Sequence, residues 1–156
     1  MITVVQRVHY ARVIVDGECV GEIEKGLLLF VGVEAGDTEA DADTTARKVR
    51  TMRIWPKTKP TDLSVQDIDG GCLVVSQFTL AAELRHGNRP DFTAAAPPEL
   101  AEPLYERVVA QLRDAGLPVA TGRFAADMRV ELSNDGPITL LLKVVGGKVV
   151  PRANHN

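Results

Sequence analysis

Residues 27–33 read Leu-Leu-Leu-Phe-Val-Gly-Val, an unbroken apolar run of strand length directly after Gly26. A strand with one wet face alternates polar and apolar residues, so an uninterrupted run marks a strand covered on both faces. The flanking segments supply what such a strand needs. Upstream, residues 2–15 alternate as strands do, with Tyr10-Ala11 a plausible break, and Asp16-Gly17 signals a hairpin turn into a strand over 19–23. Downstream, Asp37-Thr38 has the character of a helix start, and Ala42, Ala46, Val49 and Met52 recur at helical spacing over 38–53. Pro56 and Pro60 end that helix, and a polar loop over 57–69 follows.

The second half repeats the alternation of strand and helix. Gly70-Gly71 opens the most apolar segment, residues 72–75, which leads into Ser76-Gln77-Phe78-Thr79-Leu80. After a loop holding Gly87, Asn88 and Pro90, Pro97-Pro98-Glu99 suits the first turn of a helix. That helix reaches Asp114, buries Leu104, Val108 and Leu112, and is capped by Gly116. Strands near 118–121 and 128–132 precede a turn at Asn134-Asp135-Gly136-Pro137, and residues 138–145 close the sheet. The expectation is a single layered α/β domain over 1–145, with a strand-rich, partly barrel-like sheet and two main helices. A polar tail, expected to fray, occupies 146–156. At 156 residues the chain can bury a core without staples.

Several function classes are disfavoured by composition. A net charge of −3 argues against broad, sequence-blind nucleic-acid binding, which is driven by a basic face. Cys19 and Cys72 are too isolated for a disulfide framework, and His9, His86 and His155 lack ligand spacing, so no metal is expected. No apolar run is long enough to span a bilayer, and the N-terminus carries Arg7 and His9 where a signal peptide would be apolar. The reading is therefore a soluble, cytoplasmic chain.

Hydrolase signatures such as G-x-S-x-G, H-E-x-x-H and the phosphate loop are absent. Two stretches nonetheless stand out. Ser76-Gln77-Phe78-Thr79 places polar side chains at the end of an apolar strand, where α/β proteins keep functional groups. Spacing alone favours the plainer role, in which Ser76 and Thr79 satisfy backbone groups. Asn134-Asp135-Gly136-Pro137-Ile138-Thr139 is built from turn formers, yet Gly before Pro is also a setting where a cis peptide costs only ~0.5–1 kcal/mol. A cis bond there would turn neighbouring carbonyls to one side, as a rigid acceptor pair.

Taken together, the motifs resemble the bacterial-type D-aminoacyl-tRNA deacylase family over nearly the whole chain. The resemblance is carried by Val5-Gln6-Arg7-Val8, Gly26-Leu27-Leu28, Phe30-Val31-Gly32-Val33, residues 73–80, Gly87-Asn88-Arg89-Pro90 with Phe92, Thr121-Gly122-Arg123-Phe124, Met128 and residues 134–139. It implies hydrolysis of the ester of D-aminoacyl-tRNA, and of mischarged glycyl-tRNA, with L-aminoacyl-tRNA rejected and no cofactor. It implies a homodimer in which a cis Gly136-Pro137 reaches into the partner's pocket, lined by Ser76, Gln77, Phe78 and Thr79. Phe124 is similar to the family's platform for the terminal adenine of the tRNA 3′ end, Met128 to a neighbouring pocket residue, and Arg7 to an arginine that holds the Gly-Pro turn. Thr61-Asp62-Leu63-Ser64 and the tail depart from the family pattern without touching these motifs. Competing readings are a Thr- or Ser-nucleophile esterase for small esters, an RNA-end-binding module without catalysis, and the animal-type deacylase with a trans Gly-Pro bond, against which Ser-Gln-Phe-Thr argues.

Overall fold

The long first strand organises the molecule. In a computed structural model, which describes residues 1–151, β1 runs Ile2–Val15. Its first half pairs antiparallel with β3 (Gly26–Gly32), its second half pairs with β2 (Glu18–Ile23), and β6 (Arg129–Val145) follows its other edge. The break expected at Tyr10-Ala11 is instead a bulge in a continuous strand. Val8 faces Asn134 and Tyr10 faces Ser133, so His9 has no counterpart on β6. An extra residue flips the parity of a pleated strand. Val8 therefore packs on the same side as Ala11, Val13 and Val15. At the end of β1, Asp16 (φ 49°) and Gly17 (φ 82°) are both left-handed, as a two-residue hairpin turn requires.

Parallel pairing begins at β3. It lies beside β4 (Gly71–Ser76), which lies beside β5 (Val119–Thr121), giving the order β5-β4-β3-β1-β6-β7 with β2 on the free part of β1. Parallel neighbours need crossovers. Helices α1 (Glu39–Thr51) and α2 (Pro98–Asp114) provide them. Alternation along β3 and β4 then feeds two cores. Leu27, Leu29, Val31, Cys72 and Val74 pack with Ala42, Ala46, Val49, Leu104, Val108 and Leu112 of the helices. Leu28, Leu73 and Val75 point the other way, into a cluster closed by β2 and the start of β6. That second cluster exists because the sheet curls. Gly21 of β2 lies so close to the Thr121 carbonyl of β5 that a Cβ would collide with it. The result is a half-barrel with both helices outside it.

Helix α1 starts as expected, with Asp41 accepting hydrogen bonds from the Thr38 amide at 2.8 Å and the Thr38 hydroxyl at 3.0 Å. It stops at Thr51 rather than Arg53, because Met52 is extended and the amides of Ile54 and Trp55 turn to the Leu63 carbonyl. Arg107 of α2 grips Asp43 of α1 at 2.7 and 3.0 Å. Gly116, at φ 85°, ends α2.

The turn expected at residues 134–137 does not reverse the chain. β6 is one strand, in which Asn134 pairs with Val8 and Thr139 with Gln6, so Asp135, Gly136, Pro137 and Ile138 bulge out opposite Arg7 alone. Turn-forming residues serve a reversal and an excursion equally well, and only the partner strand decides between them. The polar tail begins with order: Gly146 and Gly147 form a turn, and β7 (Lys148–Val149) pairs back on Val144 and Val145. Gly147 is pinned to α1 by its amide to Asp41 and by its carbonyl to Thr44, each at 2.8 Å. Residues 152–156, with His155 among them, lie outside the described residues.

Candidate active site

A cleft of about 550 Å³ opens where β4 ends, within the range of small-molecule sites. One wall is the motif that follows the strand. The Gln77 amide still donates to the Val31 carbonyl at 2.8 Å, after which a single 3₁₀ turn (Phe78–Ala81) folds against β3. Gly32 makes that fold possible, since a Cβ there would sit 2.9 Å from both the Gln77 carbonyl oxygen and Leu80 Cβ. Ser76, Gln77 and Phe78 line the cleft. Phe78 is 55% exposed and meets Phe92 edge to face at 5.3 Å. The amides of Phe78 and Thr79 open the 3₁₀ turn, where N–H groups lack helical partners. The Thr79 hydroxyl is exposed, accepts a 2.6 Å hydrogen bond from Gln77 Nε2 and stands apart from the cleft lining.

The opposite wall is the segment between β5 and β6. The Gly122 amide donates to Val74 at 3.2 Å, and a Cβ on Gly122 would lie 2.6 Å from Met128 Sδ. Met128 thus packs directly over the backbone of Gly122. Between them Phe124, Ala125, Ala126 and Asp127 line the cleft, with Ala125 in the left-handed region at φ 59°. That conformation costs a non-glycine residue roughly 1–2 kcal/mol and marks a segment held in place by its surroundings. Phe124 leans on Tyr105 at a ring distance of 6.0 Å, and the Tyr105 hydroxyl donates to the Val74 carbonyl at 2.8 Å. Burial pushes Tyr105 up to about 12, so it stays protonated as a buttress.

The Gly136-Pro137 bond is cis, and its excursion is tied down from β1. Arg7, almost fully buried, pairs with Asp135 Oδ2 at 2.9 Å, donates to the Asp135 carbonyl at 3.3 Å and also donates to the Ile54 carbonyl. Asn134 Nδ2 bridges the Arg7 carbonyl at 2.9 Å and the Ile138 carbonyl at 3.2 Å, closing the excursion at its neck. Gln6 Nε2 donates to Thr139 Oγ1 at 3.2 Å. Gly136 and Pro137 themselves are exposed. A Cβ on Gly136 would meet only Asn134 Oδ1, at 3.7 Å, so its own chain leaves room for a side chain there.

Of the residues singled out in the sequence, Ser76, Gln77, Phe78, Phe124 and Met128 come together around one cleft. Arg7, Gly136 and Pro137 form a separate unit at the level of Leu27, while Ser76 pairs with Val31 nearer the other end of β3. Sequence reasoning missed Val33, Ala96, Pro98 and Ala101, which close the cleft, and Asp127, the carboxylate in its lining. The small residues at the start of α2 were the available signal for the first group. Asp135 is engaged by Arg7 and lies 3.8 Å from His9 Nε2, so it is no free base. Cys72 is no nucleophile either, since burial pushes its thiol up to about 12. Among the described residues no helix is long and apolar enough to cross a membrane.

Comparison with known proteins matches this geometry to a family. The family model described as D-Tyr-tRNA(Tyr) deacylase matches residues 4–143. A D-aminoacyl-tRNA deacylase of Geobacter metallireducens is 51% identical, covering 94% of this chain and 100% of the relative. One of Thermotoga petrophila is 54% identical, covering 91% and 96%. Among solved structures, c-Myc DNA Unwinding Element Binding Protein superposes with a TM-score of 0.87 at 37% identity, over 93% of this chain and 99% of that one. With a match over nearly its whole length and more than half of the aligned residues identical to such relatives, the chain belongs to the D-Tyr-tRNA(Tyr) deacylase family.

Proposed function

We propose that the protein hydrolyses the ester joining a D-amino acid to the terminal ribose of tRNA, and that of mischarged glycyl-tRNA, while rejecting L-aminoacyl-tRNA. The observation that carries this reading is the pairing of an open cleft at the end of β4 with a Gly136-Pro137 excursion held by Arg7 near the opposite end of β3. In a homodimer the excursion of one protomer completes the cleft of the other. Two features support that arrangement. The outer edge of β6 carries exposed Leu140 and Leu141, 39% and 52% accessible, on an edge that β7 covers only at Val144 and Val145. Gly136 has no need of glycine within its own chain, which is consistent with an approach from outside.

The chemistry is mainly one of placement. Carbonyls flanking Gly136-Pro137 accept from the substrate α-ammonium, a charge-assisted contact worth roughly 1.5–3 kcal/mol. With the ammonium and ester fixed, a D side chain points outward and an L side chain meets backbone, so sterics supply the remaining discrimination. Glycine, lacking a side chain, is not excluded. The amides of Phe78 and Thr79, which open the 3₁₀ turn, donate to the developing oxyanion. Thr79 has no base beside its hydroxyl, so an adjacent ribose hydroxyl of the substrate assists the attacking water. Phe124 stacks the terminal adenine, with Met128 beside it. Free Cys19 and Cys72 suit the reducing cytoplasm, where charged tRNA is found.

Timed deacylation of matched D-, L- and glycyl-tRNA tests the activity, and sedimentation tests the assembly. Release from the D- and glycyl forms by a dimer is the expected outcome. A fully active monomer overturns the shared site, and binding without release turns the protein into an RNA-end-binding module.

A further inference from the structure

The loop after the first cleft wall is unusual in this acidic chain. It leaves the 3₁₀ turn at Ala82 and is pinched at its base by paired hydrogen bonds between Glu83 and Asp91, at 2.8 and 3.0 Å. The ring contact of Phe92 with Phe78 fixes that base to the cleft wall. Both acids of the loop are engaged by neighbouring groups. Glu83 accepts from the amides of Leu84 and Arg85 at 2.8 and 2.9 Å and pairs with the Arg85 side chain at 2.7 Å, contacts that hold its carboxyl down to about 2. Asp91 accepts from the Thr93 amide and hydroxyl. His86 and Arg89 remain at the exposed tip, and Arg89 has no ion-pair partner among the described residues. Across the cleft, Arg123 is exposed beside Phe124 and is likewise without an ion-pair partner among the described residues. Two cations without an ion-pair partner among the described residues thus belong to segments that adjoin the two walls, Arg89 to the loop whose base rests on Phe78 and Arg123 to the segment that carries Phe124.

We infer that Arg89 and Arg123 hold the phosphodiester backbone of the single-stranded RNA end that leads into the cleft. This rests on the proposed deacylase reading and adds the surface that positions the nucleic acid. A chain with a net charge of −3 cannot attract RNA broadly, so its affinity has to be local. Arginine suits the task because its fork matches phosphate oxygens and stays charged. Arg85 is assigned a different part. Its guanidinium is taken by Glu83 and shapes the loop.

The test compares two substrates, D-aminoacyl-tRNA and D-aminoacyl-adenosine, which keeps the terminal nucleoside and lacks the phosphates. Arg89→Ala and Arg123→Ala should each raise KM for the tRNA several-fold and lower the slope of log KM against log salt by about 0.7, the single-strand value per phosphate contact. Turnover of D-aminoacyl-adenosine should be unchanged. Lys48→Ala, in the last turn of α1 as it runs back from the cleft end of β3, serves as the control and should change neither. Unaltered KM and salt slope for tRNA in both arginine variants would overturn the inference, as would an equal loss on both substrates. Failure of the unaltered protein to hydrolyse either substrate would instead overturn the deacylase reading.

Discussion

The guanidinium of Arg7 and the carboxylate of Asp135 meet at 2.9 Å at the point where β6 leaves its pairing with β1. This contact joins a buried residue of the central strand to the neck of the exposed Gly136-Pro137 excursion. The position of Gly136-Pro137 is therefore set by the core of the sheet, through a side chain with little freedom to move.

Replacing Arg7 by Ala leaves Asp135 and the Ile54 carbonyl without their donor. Breaking a pair between an almost buried and a partly exposed partner should cost roughly 2–3 kcal/mol, between the surface and interior cases. Arg7→Lys should recover only part, because one ammonium cannot reach both acceptors as a fork does. Denaturant melts measure the stability, and D-aminoacyl-tRNA hydrolysis should fall further than stability alone explains.

Gly136→Ala separates the protomer from the assembly. The chain itself has space for a Cβ at this position, so the unfolding free energy should stay within about 0.5 kcal/mol of the parent. Deacylation should nevertheless drop steeply, because in the proposed dimer the added methyl would enter the partner's cleft. A stable variant with full activity and unchanged D-over-L selectivity would remove Gly136 from the site.

Thr79→Ala should retain substantial hydrolysis of D-aminoacyl-tRNA. Its hydroxyl only accepts a hydrogen bond from Gln77 and has no base next to it. Activity at background with substrate binding intact would count against this and revive covalent catalysis by that oxygen.

Phe124→Ala should weaken substrate binding by one to two orders of magnitude, the scale of about 1–3 kcal/mol for stacking a base on an aromatic ring. Some stability is also lost, because the ring packs on Tyr105 and the main core. Measuring KM and the melting midpoint together distinguishes the two effects. Loss of stability with unchanged KM would leave Phe124 as a core residue alone.

Acid should loosen the helical layer. Burial alone would raise the pKa of Asp41, but hydrogen bonds from the Gly147 amide and from Thr38 outweigh it, and Arg107 lowers Asp43. Both folded values lie below the unfolded aspartate value of about 3.9. Their contribution is complete above that value and is lost as pH falls through the folded ones. The denaturant midpoint should be flat above about pH 5 and fall below about pH 4. Asp43→Asn should flatten that acid limb.

Much of this protein was readable from local chemistry. The unbroken run at 27–33 announced a strand covered on both faces, and β3 is buried on both. Asp16-Gly17 specified its turn because few residues tolerate two left-handed positions, and Asp37-Thr38 marked the start of α1. Such features depend on the residue and its near neighbours, so the sequence alone determines them. The bulge at His9, the continuous path of β6 through Asn134–Pro137 and the ordering of Gly147 on α1 depend on partners far away in the chain. Residues 134–139 contain all the chemistry of a turn, yet pairing with Val8 on one side and Gln6 on the other makes them an excursion from a single strand. The cleft was decided in the same way. Ser76, Phe124 and Pro98 lie far apart in sequence and meet only because β4 and β5 end, and α2 begins, at one end of a curled sheet, a matter of long-range packing that no local pattern encodes.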